Sequence, residues 1–264
     1  MTTLRLHTAS RIAMLLCITA AMVIAGCSGS RGSMFEKDDD RDPIDVALAS
    51  AAPDERRMGV QRLSESKDGA TPWAIDIYRT MAREDVDDMV RHAALLALDK
   101  HDAATARRII ADLLNNPKAP RVQTTSNTDI RPAGPVLRRG AARLLLRYVR
   151  TGASTDGINL AQITCSALED ERDHQTRILL LDTMGFVPER SVLTALIEAM
   201  RRDDFAEKRA AEDSLIRLTG ETHRYDADAW KAWLAKTNAP FAKAGQTPAG
   251  LEQPDDGKWW NIFD

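Results

Sequence analysis

The chain has 264 residues, enough for one large domain or an elongated array of small units. It is 44% hydrophobic, 28% charged and only 5% aromatic, and its abundant alanine, leucine and arginine favour helices over sheets. The formal net charge of −3 argues against a general nucleic-acid binder.

The N-terminus predicts an export signal. Arg5 and Arg11 form a positive start, no acidic residue precedes Glu36, and Ile12 to Ile24 is an apolar run of 13 residues. A bilayer-spanning helix needs about 20 residues, so the run suits a cleavable signal better than an anchor. It ends in Ile24-Ala25-Gly26-Cys27, which resembles the bacterial lipobox. That resemblance implies a signal peptide over residues 1–26, a diacylglycerol on the Cys27 sulfur and usually a further acyl chain, such as palmitate, on the new terminus. Cleavage there removes two basic residues, leaving 34 basic against 39 acidic, net −5. The implied home is the extracytoplasmic, periplasmic face of a bacterial membrane. Ser28 after the cysteine permits the outer membrane by the sorting rule of many lipoproteins. The remaining alternative for Cys27 is an incidental thiol in an ordinary signal or anchor. A disulfide to Cys165 would gain little, and there is no ligand spacing for a metal.

Residues 27–41 are polar and glycine-serine-rich with an acidic block at Asp38 to Asp40, a flexible tether. From 42 to 237 the text is helical. Asp42-Pro43 and Thr71-Pro72 look like cap-and-proline helix starts. Ala106, Ile109, Ile110, Leu113 and Leu114 follow one helical face, as do Leu193, Leu196, Ile197 and Met200. Gly185 and Gly220 stand where helices should end. No stretch alternates with period two, so the fold class expected is all-α.

The helices recur. "MVRHAALLAL" (Met89 to Leu98), "LRRGAARLLL" (Leu137 to Leu146), "TRILLLDTMG" (Thr176 to Gly185) and "EKRAAEDSLIRLTG" (Glu207 to Gly220) share a basic residue followed by spaced alanine or leucine. Taking Arg57, Arg91, Arg139, Arg177 and Lys208 as register marks, the steps are 34, 48, 38 and 31 residues. Val90-Arg91-x-x-Ala94-x-x-Ala97-Leu98 resembles the second helix of HEAT repeats, although other copies replace the alanines. The resemblance implies a HEAT-like, armadillo-like α-solenoid of about five helical pairs over 42–237, closed by a short C-terminal capping helix. In such arrays the marker arginine usually reaches an acid or carbonyl of its neighbour. A compact irregular bundle is the alternative, and the tetratricopeptide pattern does not recur. A long loop over 115–135 carries four prolines and no helical period. Residues 238–264 form a linker and an aromatic tail, "KWWNIFD".

Catalytic motifs are missing. There is no GxSxG elbow, phosphate-binding glycine loop or HExxH helix, and no histidine has a partner at ligand spacing. The His-Glu dipeptides of the HEAT-scaffold di-iron hydroxylase are absent as well. The expectation is therefore no catalytic residue, no metal, no cofactor and no evident small-molecule substrate. Cys165 has no basic neighbour to activate it, and "ETHRYDAD" (Glu221 to Asp228) is a capped loop more than a site. The candidate partner-binding residues are Arg139, Arg143, Arg147 and Arg150, on one helix face opposite Leu137, Ala141, Leu144, Leu145 and Tyr148, with Arg121 and Arg131 in the loop before them. Such a stripe either receives an acidic partner or is a solvated face neutralised by neighbouring acids. Trp259, Trp260 and Phe263 of the tail either fold back or dock on another protein. The function expected is a lipid-anchored binding or scaffolding module, the alternatives being an enzyme on a helical scaffold or a purely structural envelope lipoprotein.

Overall fold

The computed structural model describes residues 42–115 and 132–248, and among them it contains eleven α-helices and no strand. They are α1 (Pro43–Leu48), α2 (Pro53–Glu65), α3 (Pro72–Glu84), α4 (Asp88–His101), α5 (Ala103–Asn115), α6 (Pro135–Thr151), α7 (Leu160–Asp170), α8 (His174–Met184), α9 (Arg190–Ala199), α10 (Phe205–Thr219) and α11 (Ala227–Lys236). The all-α expectation holds. No helix among the described residues is long and apolar enough to cross a membrane. Cys27, Arg121, Arg131, Trp259, Trp260, Phe263 and most of the 115–135 connection lie outside the described residues.

Residues up to Asp102 and residues from Ala103 onward form two compact units. In the first, α2 packs against α1 and α4, and α4 against α3. In the second the pattern of neighbours repeats: α6 packs on α8 and α8 on α10, while α5 meets α7, α7 meets α9 and α9 meets α11. Small side chains permit the close approach. Ala93, Ala94 and Ala97 of α4, Ala141 and Ala142 of α6, and Ala210 and Ala211 of α10 are all buried among leucines.

Helix starts follow from local chemistry. Aspartates 42, 87, 173, 204 and 226 stand at N-cap positions, and each carboxylate accepts a backbone N–H of the first turn. Thr71 does not cap as expected; its hydroxyl donates to the Asp68 carbonyl at 2.6 Å and Pro72 alone opens the helix. Gly220 ends α10 in the left-handed region with φ 69°. Gly185 is the C-cap of α8 as expected, but with φ −64° rather than in the left-handed region. It is small because a Cβ there would collide with the side chains of Ser214 and Arg217 of α10.

The register marks need correcting by one residue in two copies. Counting from each N-cap, the fourth helical residue is Arg56 in α2, Arg91 in α4, Arg138 in α6, Arg177 in α8 and Lys208 in α10. Arg57, marked from the sequence, instead pairs with Asp54 of its own helix at 3.1 Å. The arginines at the fourth position turn back onto carbonyls of the preceding turn: Arg56 on Ser50 and Ala51, Arg138 on Ala133, Arg177 on Leu168. Three also reach forward to an acid. Arg56 grips Asp85 with two bonds of 2.8 Å, and Arg138 grips Glu171 at 2.7 and 2.9 Å. Both acids sit two residues before an N-cap and also accept its backbone N–H, from Asp87 at 2.8 Å and Asp173 at 2.7 Å. At the third rung the corresponding position is Arg202, so Arg177 uses Glu207 of α10 at 2.8 Å, which Arg202 also approaches at 3.1 Å.

These rungs are buried, with Arg177 and Glu207 side chains only 5% and 3% exposed. A charge so placed is tolerable only while its partner is present. Arg177→Met should therefore lower unfolding free energy by about 3 kcal/mol, whereas Arg177→Met with Glu207→Met should recover most of the loss. Urea denaturation followed by circular dichroism checks both; equal losses would mean packing, not charge pairing, sets the cost.

Candidate partner-binding face

Helix α6 opens at Gly134-Pro135 and closes on left-handed Gly152, φ 65°. Its seventeen residues bury Leu137, Gly140, Ala141, Ala142, Leu144, Leu145, Leu146 and Tyr148, a wider sector than the five apolar residues named from the sequence. The four stripe arginines fall on the remaining arc, but their environments differ. Arg139 is half-buried and held by Asp173, the N-cap of α8, through bonds of 2.6 and 3.2 Å. Arg150 lies 3.7 Å from Asp182 of α8. Arg143 and Arg147 are exposed, one and two turns from Arg139.

The face continues across α8 and α10. On α8 the half-buried positions are Ile178, Leu179 and Asp182, followed by Phe186 just after the helix. On α10, Arg209, Asp213 and Arg217 stand four residues apart on one line, with Ile216 beside them. The Arg217 guanidinium stacks over the Phe186 ring at 4.6 Å. Arg209 lies 3.7 Å from Asp213. The Ser214 hydroxyl donates to the Leu181 carbonyl at 2.8 Å, tying the two helices together. Arg150, Asp182, Asp213 and Arg217 thus lie close enough for each to act on the others' charge. Arg209 and Arg217 were missed in the sequence, although their i, i+8 spacing on α10 was a readable signal.

These groups are sheltered. Burial pushes the carboxyls of Asp182 and Asp213 above their ordinary range, despite Arg150 and Arg217 beside the first and Arg209 and Arg217 beside the second. Burial likewise lowers the Arg217 guanidinium. Asp182 nevertheless keeps 26% of its side-chain surface open.

The other candidates gather no such arrangement. Burial, with Glu169 and Glu189 nearby, pushes the Cys165 thiol up, the opposite of an activated nucleophile. In "ETHRYDAD", Asp226 caps α11, His223 meets the Trp230 ring edge-on at 4.7 Å, and Arg224 and Tyr225 take positive φ of 52° and 66°. The buried Glu212 carboxylate holds that turn, accepting from the Arg224 and Tyr225 N–H groups, the Thr222 hydroxyl and Trp230 Nε1. His174, Asp204 and Glu207 bring ligand-type atoms within 4.8 Å of one another. Arg177 and Arg202 already oppose the Glu207 charge, so that trio belongs to the rung between α8 and α10.

No family model matches this chain, and no curated protein matches its sequence.

Asp173 fixes the edge of the face. The Arg139 bond, followed by bonds from Thr176, holds its carboxyl down to about 2 against burial, which acts the other way. A depressed carboxyl stabilises the folded state above its unfolded value and loses that stabilisation as pH falls through the folded one. Asp173→Asn keeps the cap and deletes the charge. It should cost about 1–2 kcal/mol near pH 5 once screening at the half-exposed Arg139 is discounted. In urea denaturations the gap between variant and wild type should shrink by more than half at about pH 2.5. A gap independent of pH would remove the ion pair from the account.

Proposed function

We propose that this chain is a lipid-anchored helical-repeat module that binds an acidic protein partner at the cell envelope. In this reading the paired helices stack as a HEAT-like α-solenoid, with α6, α8 and α10 as the equivalent second helices of successive repeats. The alternation of neighbours in the second unit supports it, as does the recurrence of arginine at the fourth helical position. α11 serves as the terminal cap: Asp226 starts it, Trp230 and Leu234 are buried, and Trp233 is half-buried.

The observation that carries the functional reading is the arginine face. The fold uses Arg138, Arg139 and Arg177 to join helices, whereas Arg143, Arg147 and Arg150 continue the line of Arg139 along α6 with Arg143 and Arg147 exposed. Guanidiniums arranged so on a net acidic protein favour a ligand with several carboxylates, presented over an extended surface. The lipobox resemblance at Cys27 supplies the anchor.

Two outcomes follow. Arg143→Glu with Arg147→Glu changes exposed side chains, so stability should move by less than about 0.5 kcal/mol. Capture of partners from detergent-solubilised membranes should fall about tenfold or more; an unchanged set of captured proteins would dismiss the face. Cys27→Ser should shift the protein from the membrane to the soluble fraction. Mass spectrometry of the wild type should find a diacylglyceryl group on the residue 27 thioether, and an unmodified thiol on a processed terminus would refute the anchor.

A further inference from the structure

We infer that Asp182 gates the arginine line of α6: on taking up a proton its side chain releases Arg150, and the face then binds acidic ligands more strongly as pH falls below neutral. The inference rests on the reading of that face as a binding surface and names its regulation.

The first observation is how loosely Arg150 is held. Arg143, Arg147 and Arg150 follow one another about one turn apart on α6, and the line ends beside Asp182 of α8. The Arg150–Asp182 separation is 3.7 Å, with the two side chains 30% and 26% exposed. The arginines that join helices come much closer, Arg139 to Asp173 at 2.6 Å and Arg177 to Glu207 at 2.8 Å. At 3.7 Å there is no hydrogen bond. The attraction is charge across a gap, and it disappears when the carboxylate becomes neutral.

The second observation is what surrounds the Asp182 carboxyl. Three charged groups face it: Arg150 of α6, and Arg217 and Asp213 of α10. Asp213 is faced in turn by Arg209, Arg217 and Glu212 of its own helix. The Ser214 hydroxyl donates to the Leu181 carbonyl at 2.8 Å. That bond joins the residues next to the two acids, so α8 and α10 cannot slide to separate them. A carboxyl that is three-quarters covered and fixed beside a second carboxylate favours its neutral form, while the two arginines favour the charged one. Burial prevails and leaves Asp182 above its ordinary range. Solvent still reaches the quarter that is open, so a proton can enter and leave.

These two observations fix the sign of the response. Exposed aspartates on a ligand titrate near their ordinary value of about 3.9. As pH falls, Asp182 is therefore protonated before the ligand is. In that interval the ligand keeps its charge, Arg150 loses the carboxylate facing it, and its guanidinium joins Arg143 and Arg147 in pairing with the ligand. Affinity rises as pH falls through the Asp182 value and drops again once the ligand's own carboxylates are protonated.

The test titrates a dye-labelled peptide of alternating aspartate and glycine against the full-length chain in detergent, read by fluorescence anisotropy. Wild type should bind about threefold more tightly at about pH 5 than at about pH 7.5. Asp182→Asn should bind at the higher pH nearly as tightly as wild type at the lower one. It should keep less than half of the pH response, the rest belonging to Asp213. Arg150→Gln should lose the response and stay at the weaker level. Asparagine keeps the shape and replaces a charge that the fold disfavours, so the urea midpoint of Asp182→Asn should not fall at about pH 7.5. A pH response in Asp182→Asn equal to that of wild type would overturn the inference, as would wild-type affinity that stays constant or declines over this range. Binding abolished by Arg143→Glu with Arg147→Glu, yet indifferent to residue 182, would end this inference and leave the face standing. Binding indifferent to Arg143→Glu with Arg147→Glu would dismiss the face, and this inference with it.

Discussion

A guanidinium four residues into a helix can reach backward to the carbonyls that close the preceding turn and forward to the acid that opens the next paired helix. Most of what this chain does with its charge follows from that geometry. Arg56, Arg138 and Arg177 each hold two consecutive connections together, and the acids they grip hold an N-cap backbone N–H or stand in the first helical turn. Burial pushes the Glu171 carboxyl up, but bonds from Arg138 and from the Asp173 and Arg172 backbone outweigh it and leave it below its ordinary range. Hydrophobic burial brings helices together without fixing their order, because leucine and alanine faces are interchangeable. A paired buried charge is not interchangeable. The rungs specify which helix sits beside which.

That specification leaves a remainder. Helix α6 carries more arginine than the rungs use, and Arg143 and Arg147 are exposed along it. On α10, Arg209 lies beside Asp213 and Arg217 stacks on the Phe186 ring. Helices α6, α8 and α10 are successive neighbours, so these residues lie on adjacent helices. The apolar residues between them are too few to be a core and too sheltered to be fully solvated.

Helix type was legible because it depends on periodicity within a single segment. The apolar runs of α5 and α9, the aspartate caps and the left-handed Gly220 all act locally. Register was less legible. Arg56 and Arg57 are adjacent, as are Arg138 and Arg139, and only the N-cap, four residues upstream, tells which member of each pair turns inward. Arg139 looked like a free stripe residue because its partner Asp173 lies 34 positions away. Gly185 does stand at a helix end, but its missing side chain also reflects the approach of Ser214 and Arg217 from another helix, which no local pattern shows. The desolvation of Asp182 and Asp213 also needs three helices in place before it exists. Long-range pairing, not local propensity, is what the letters concealed.

Buried arginine–acid rungs, more than apolar contact, keep α6 beside α8 and α8 beside α10. Native-state hydrogen exchange on Glu171→Gln tests it most directly, because this change keeps the shape and removes the charge gripped by Arg138. Protection should fall in α6 and α8, where the severed rung lies, and stay unchanged in α1 to α4, which belong to the other compact unit. Undiminished protection of α6 and α8 would contradict the claim.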